Sequence, residues 1–319
     1  MSHHIYFCYM PGPIVCIGGS LVDELFYMEG EMLPATTNFV TVSKTAGGVS
    51  RNIAHQLALL NVPVELISVF GNDGDGVWLK EVSTKAGVNL DASLTIARSS
   101  GKYTAIIEKN GTLFTGFLTN HLTQVLAPEH LEERKDLLKT ASWIIADTNV
   151  SAGTLQWLLT FSKQAGVPLI IEPVAVPPAL KLKTIELDGL YLITPNEDEL
   201  PAICSEKAFT REDQVNELFQ RGVRFIWLHN GKAGSTLYSN NRVITLAAVP
   251  VEVVDSNGAG DAALAGYITG KYLGMEDIDC LKLAHTLSSQ VLQVKGAVAK
   301  DLDQIKLLSL LSKFYPANE

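Results

Sequence analysis

Apolar and polar positions along the chain alternate between short β-type runs and helical periods. Ile14-Val15-Cys16-Ile17 is continuously apolar and stops at Gly18-Gly19-Ser20. This predicts a strand buried on both faces and ending in a glycine turn, with Asp23 just beyond. Comparable short runs recur at residues 64–69, 143–146, 168–171, 190–193 and 225–228, and a Val-rich run ends at Asp255. Between them, helical spacing is read over 53–60, from the Gly-Asp turn at 71–76 through 86, over 151–165 and over 211–221. Repeated strand–helix alternation predicts an α/β fold whose mostly parallel sheet carries helices on both faces.

Four segments depart from this rhythm: 24–28, 38–43, 103–108 and 112–118. Phe39-Val40-Thr41-Val42 alternates as a half-exposed strand does, and Lys109-Asn110-Gly111 holds the Asn-Gly pair of a tight hairpin. These segments predict a small separate sheet. Such a sheet has an apolar face and edges to cover, so it is expected to pair two copies of the chain. Residues 14–300 read as one domain with small-sheet strands from about 24–45 and 103–118, and 301–319 as a closing helix of that domain. Residues 1–13 lack the basic and apolar regions of a signal peptide and read as loosely held.

Composition narrows the function classes. With 47% hydrophobic and 18% charged residues, the 319-residue chain reads as a well-packed enzyme core. A net charge of −9 argues against a nucleic-acid partner, and no apolar run reaches membrane-spanning length. Cys8, Cys16, Cys204 and Cys280 are scattered, which fits reduced thiols in the cytoplasm and neither a disulfide frame nor a zinc site.

The densest chemistry lies at Asp255-Ser256-Asn257-Gly258-Ala259-Gly260-Asp261, after the Val-rich run and before the Ala-rich helical segment 262–269. Strand, glycine loop and helix in that order aim the unpaired N–H groups of a first helical turn at whatever precedes it. Glycines let a bulky anion reach the backbone. Asp261 beside that anion hole is a candidate general base. It could also be an ordinary dipole partner. Gly258 to Ala263 also fits a dinucleotide fingerprint, but Asp277 and Asp279, near the required distance, precede a helical pattern and not a strand end. Further polar residues collect at the predicted strand ends: Asp23, Asp147 with Asn149, and Asn196 with Glu199, the last pair also spaced as a capping box. Gly47-Gly48 and Asn230–Gly234 read as turns, Glu172-Pro173 as a strand end, and the seven dispersed histidines as structural or solvated. No P-loop signature occurs.

Asp255–Asp261, Gly47-Gly48 with Asn52, the early Asp23, and Asn196 with Glu199 together resemble the ordered motifs of the ribokinase-like (PfkB-type) carbohydrate kinases. The likeness spans about residues 14–300. Within that family, Gly47–Ala54 and Ala146–Ser151 are most similar to the pseudouridine-kinase branch. The resemblance implies a three-layer α/β/α sandwich with a small β-sheet lid. It also implies ATP and Mg2+ as phosphoryl donor and cofactor, and a nucleoside or sugar as acceptor. On that mapping Asp261 is the base on the sugar 5′-hydroxyl, and the N–H groups of Gly258, Ala259 and Gly260 hold the transferring phosphoryl charge. Asp23, Gly48 and Asn52 bind ribose, while Asn196 and Glu199 organise Mg2+ through water. Gly231 and Gly234 line the nucleotide, His285 and Ser288 flank adenine, and Asp255 with the 296–299 loop holds a monovalent cation such as K+. Leu21 stands where these kinases often carry Asn, and after Pro173 a Lys arrives only at Lys181. These departures keep ribose, fructose and adenosine open as acceptors, and a non-catalytic ligand sensor as the rival class. For a pseudouridine base, Asn38, Thr41 and Ser43 are the candidate lid contacts.

Overall fold

Strand β1 (Ile14–Ile17) has no exposed residue because both of its faces are covered. Ile14 and Cys16 belong to one hydrophobic core and Val15 and Ile17 to another, as strand alternation requires. The computed structural model describes residues 12–119 and 122–316; most of the 1–13 segment and the last residues of 301–319 lie outside them.

After β1 come β2 (Leu21–Met28), β3 (Val40–Gly47), α1 (Val49–Leu59), β4 (Val64–Ile67), β5 (Val69–Gly71) and α2 (Gly74–Lys85). Then follow β6 (Leu94–Ile96), β7 (Lys102–Ile107), β8 (Leu113–Thr119), α3 (Pro128–Glu132), α4 (Lys135–Thr140), β9 (Trp143–Asp147) and α5 (Ala152–Ala165). Next are β10 (Leu169–Glu172), α6 (Val176–Ala179), β11 (Leu192–Ile193), α7 (Glu199–Ile203), α8 (Arg211–Gln220) and β12 (Phe225–His229). The chain closes with β13 (Ser235–Ser239), β14 (Arg242–Leu246), α9 (Ala259–Tyr272), α10 (Asp277–Val291) and α11 (Gln304–Phe314).

The main sheet runs β14-β13-β12-β11-β10-β9-β1-β4, parallel from β12 to β4. One face packs against α1, α9, α10 and α11 through Ile53, Leu57, Leu264, Ile268, Leu287 and Leu307. The other packs against α5 and α8 through Leu155, Leu158, Val215 and Leu218. This is a three-layer α/β/α arrangement. Helix α9 is buried from Asp261 to Gly270, as a helix apolar all round must be. It therefore lies inside the molecule with its N-terminus at the carboxyl edge of the parallel strands, where ligands of such sheets bind.

The four off-rhythm segments form a separate sheet of order β3-β2-β7-β8. β2 starts at Leu21, earlier than its sequence pattern indicates, so Asp23 lies within the strand, opposite Thr45 and Tyr103. The predicted 64–69 strand breaks at Ser68, whose hydroxyl donates to the Gly18 carbonyl at 2.6 Å; β5 then pairs with β6 in a two-stranded sheet. The largest correction concerns the Val-rich run before Asp255, which belongs to no strand. The unanticipated antiparallel hairpin β13–β14 already occupies that side of the sheet. Val253 and Val254 are left more than half exposed, and the N–H groups of Val254 and Asp255 turn to the Leu292 carbonyl.

Candidate active site

Gly258 caps α9 with φ 74°, a left-handed conformation that disfavours side chains. A Cβ there would also lie 2.4 Å from the Ala297 carbonyl oxygen. Ala262 N–H donates to the Gly258 carbonyl at 2.9 Å and Ala259 N–H reaches back to the Ser256 carbonyl at 3.5 Å, so the N–H groups of Gly260 and Asp261 precede the helical ladder at the positive end of the dipole. A Cβ on Gly260 would meet nothing within 4 Å: the space in front of this helix end is open. Asp255 braces the loop by accepting from Asn257 N–H at 3.0 Å and Gly296 N–H at 2.9 Å.

Asp261 sits in the first turn of α9, 8% exposed. Its partner comes from α1, where Asn52 Nδ2 donates to Asp261 Oδ2 at 2.7 Å. The start of α1 is fixed by buried Asp147 at the end of β9, whose Oδ2 accepts from Gly19 N–H at 2.7 Å, Ser50 N–H at 3.0 Å and the Ser50 hydroxyl at 2.8 Å. Gly48, at φ 96°, makes the sharp entry, and a Cβ there would fall 2.4 Å from the Gly19 carbonyl. Asp147 is thus an anchor and leaves Asn52 to face the site.

Burial pushes the Asp261 carboxyl up to about 7; the Asn52 hydrogen bond and the Arg51 charge oppose this, and the Asp147 and Asp23 charges add to it. Asp23 is likewise raised by burial to about 6, with Arg51 opposing and Asp255 adding. Its carboxylate lies over Gly47, at the junction of the small sheet with α1. A buried carboxylate that is half ionised near neutrality, beside an open helix N-terminus, is suited to take a proton from a hydroxyl while the helix holds the developing negative charge.

Asn196 and Glu199 meet as the capping box their spacing predicts. Asn196 Oδ1 accepts from Glu199 N–H and Glu199 Oε2 from Asn196 N–H, both at 2.9 Å. One Glu199 oxygen and the Asn196 amide nitrogen stay free of that cap. Glu172, read from sequence only as a strand end, ends β10 beside Asp147 and accepts from the Thr194 hydroxyl. Its carboxyl is held well above the usual range by burial and then by the Glu199 charge, with Asp261 contributing further. The signal that marks it is an acidic residue closing an apolar parallel strand.

Asn230–Gly234 does connect an antiparallel pair, β12 and β13, with Gly231 at φ 54° in open space and Gly234 packed under the Leu246 carbonyl. Asn196 bridges to His229 at the start of this turn, so the Glu199 region and the glycine turn are adjacent. His285 has no polar group left over. Its Nε2 pairs with the Ser235 hydroxyl at 2.7 Å, Ser235 accepts from Trp227 Nε1–H, and His285 Nδ1 meets the Ala247 carbonyl at 3.0 Å. Only its ring could face a nucleotide. Ser288, three residues on along α10, is partly exposed. Of the candidate base contacts, Asn38 is spent on its own loop, bonding Leu33 N–H, Leu33 O and Thr36 O, and exposed Thr41 donates to Glu29. Ser43 lies opposite Leu25, on the face that carries Asp23.

A family model described as pfkB family carbohydrate kinase matches residues 13–304. The chain is 27% identical to the pseudouridine kinase of Escherichia coli (strain K12) over 304 residues, which covers 93% of this chain and 96% of that protein. The structure of Arabidopsis thaliana ribokinase complexed with ribose and ATP superposes with a TM-score of 0.82 at 23% identity, over 95% of this chain and 99% of that one. An E. coli structure described as a ribokinase II, in complex with ATP and Mg2+, gives 0.79 at 18% identity, again over 95% and 99%.

Proposed function

The chain belongs to the pfkB family of carbohydrate kinases, and from that premise we propose that it transfers the γ-phosphoryl group of ATP to the 5′-hydroxyl of a ribonucleoside, with pseudouridine preferred. The observation that carries this reading is the Asn52–Asp261 pair set against the open N-terminus of α9.

Asp23 and Asn52, with the Gly48 backbone, hold the ribose so that its 5′-hydroxyl meets Asp261. Asp261 takes the hydroxyl proton as the oxygen attacks. The N–H groups from Gly258 to Gly260 meet the charge spread over the phosphoryl oxygens, which is most of what phosphoryl transfer asks of a protein. The small sheet covers the acceptor and excludes water; Thr45 on its Asp23 side already reaches the Gly296 loop. The Gly231–Gly234 turn lines the nucleotide.

The donor set fits Mg2+. Glu172 and Glu199 sit close enough for the Glu199 charge to raise its neighbour, a repulsion that a divalent cation relieves. Among the described residues no group of three or more His, Cys, Asp or Glu side chains forms a ready cage. That suits an ion bound through one or two carboxylates, waters and substrate phosphates. When bound, Mg2+ offsets phosphate charge. Asp255, beside the 296–299 loop, is where a monovalent cation belongs on the same reading.

The relation to the E. coli pseudouridine kinase and the Gly47–Ala54 motif support the substrate. Pseudouridine presents a ring N–H that uridine lacks, and Ser43 Oγ, on the Asp23 face, is the acceptor we assign to it. An unmet acceptor costs about 1–3 kcal/mol, which is roughly 5- to 150-fold in specificity. The test is kcat/KM for pseudouridine, uridine, adenosine, ribose and fructose with ATP and Mg2+. Pseudouridine is expected to lead. If another acceptor leads, the substrate assignment falls, and if none is phosphorylated, the kinase assignment falls with it.

A further inference from the structure

Arg51 is 1% exposed, and beyond the effect of its charge on Asp23 and Asp261 it is given no part in the chemistry above. Its Nε donates to the Gly47 carbonyl at 2.9 Å, and its Nη2 to the Ala46 carbonyl at 2.8 Å and to Asn52 Oδ1. Its Nη1 lies 3.1 Å from His55 Nδ1. A guanidinium has donors only. The Asn52 atom against it must therefore be the amide oxygen, and the His55 atom must be an unprotonated nitrogen. Burial, then the Arg51 charge, lowers His55 to about 3, so the ring is neutral as this contact demands.

The consequence reaches Asp261. An Asn amide has two orientations related by a flip, and only one turns Nδ2 toward Asp261. With its oxygen held by Arg51, Asn52 donates to Asp261 Oδ2, and Oδ1 is the oxygen left for the acceptor hydroxyl. The flipped amide would set oxygen against carboxylate oxygen. Ala46 and Gly47 are also the last residues of β3, so the same side chain ties the end of the small sheet to the catalytic pair.

We propose that Arg51 is the positioning residue of the site: by holding the Asn52 amide oxygen and the end of β3 together, it sets which oxygen of Asp261 accepts the proton. This rests on the reading of Asp261 as the base. The charged groups facing the pair are Asp23 on β2, Asp147 on β9 and Glu172 on β10, with Lys300 beyond neutral His55.

The experiment compares kcat and kcat/KM against pH for the wild type, R51M and R51K in the full chain, with thermal melts of each. R51M is expected to lose about tenfold or more in kcat, and to move the acid limb of kcat/KM upward by about one pH unit. KM for ATP should change little. R51K, which keeps the charge and loses the fork, should return the limb toward wild type while kcat stays low. A folded R51M with wild-type kcat and an unmoved limb overturns the proposal. If neither variant folds, R51Q decides: its shorter amide keeps a donor but neither the charge nor the fork, so a wild-type kcat with an unmoved limb again overturns the proposal, and a lowered kcat with a raised limb supports it. A wild type that phosphorylates no acceptor overturns the base assignment itself, whereas an active wild type with an indifferent R51M overturns only the role of Arg51.

Discussion

Asp261→Asn should do two opposite things. It removes the proposed base, so kcat should fall by about 100-fold or more, the usual scale for a general base. It should also make the protein more stable at alkaline pH. An ordinary carboxyl at 3.8 and this one at about 7 differ by roughly 4 kcal/mol, at 1.36 kcal/mol per pKa unit. Because the folded-state value is raised, the stabilisation belongs to the protonated form. It is fully present below pH 3.8 and lost as pH rises through 7, so at pH 8 the ionised carboxylate works against the fold. Asn has no such charge, and its amide oxygen can still accept from Asn52 Nδ2. In urea unfolding at pH 8 the variant should exceed the wild type by up to about 4 kcal/mol, and at pH 5 the gap should shrink to less than half of that. In the wild type, kcat/KM for the acceptor should fall about tenfold per pH unit below about 7, because the base must be ionised to work. A variant less stable than wild type at pH 8, or one that keeps wild-type turnover, would refute this reasoning.

Gly258→Ala and Gly260→Ala should separate fold from ligand. The first forces a left-handed Ala and a contact 2.4 Å from Ala297 O, so melting temperature and kcat should both drop; the second meets no protein atom within 4 Å, so melting should hold while KM for ATP rises. Glu199→Gln should raise the Mg2+ concentration needed for half-maximal rate by about tenfold, the usual scale for a lost metal-site contact, as read in a Mg2+ titration; an unchanged requirement removes Glu199 from the metal. The small-sheet face opposite Asp23 carries Phe26, Val42 and Phe117, the last two about half exposed. Two copies are expected to pair through it, and light scattering should show a dimer that Phe117→Asp dissociates; a strict monomer at high concentration ends that idea.

The glycine loop at the start of α9 was legible because its signal is local: Gly-Ala-Gly-Asp before an Ala-rich run marks a helix start, and α9 begins at Ala259. The small sheet was legible for the same reason, since alternation and Asn110-Gly111 are short-range signals. The Asn52–Asp261 bond spans 209 residues, and no local pattern encodes such a pairing. Glu172 and Arg51 were missed because their roles depend on what burial brings beside them. The Val-rich run before Asp255 misled because β-branched composition says that a segment can be a strand, while a free sheet edge decides whether it is one. His285 has a polar network of its own, formed with Trp227 and Ser235 once β12, β13 and α10 have packed together.

The central claim is transfer to a primary ribose hydroxyl aligned with Asp261. The most direct measurement follows ADP release and the phosphorus NMR spectrum of the product with pseudouridine, and in parallel with 5′-deoxypseudouridine, under ATP and Mg2+. We expect one ADP per phosphorylated nucleoside, a phosphorus signal split by the 5′-methylene protons, and no reaction of the 5′-deoxy compound. Phosphorylation of the 5′-deoxy compound, or a product phosphate on a ring hydroxyl, would contradict it.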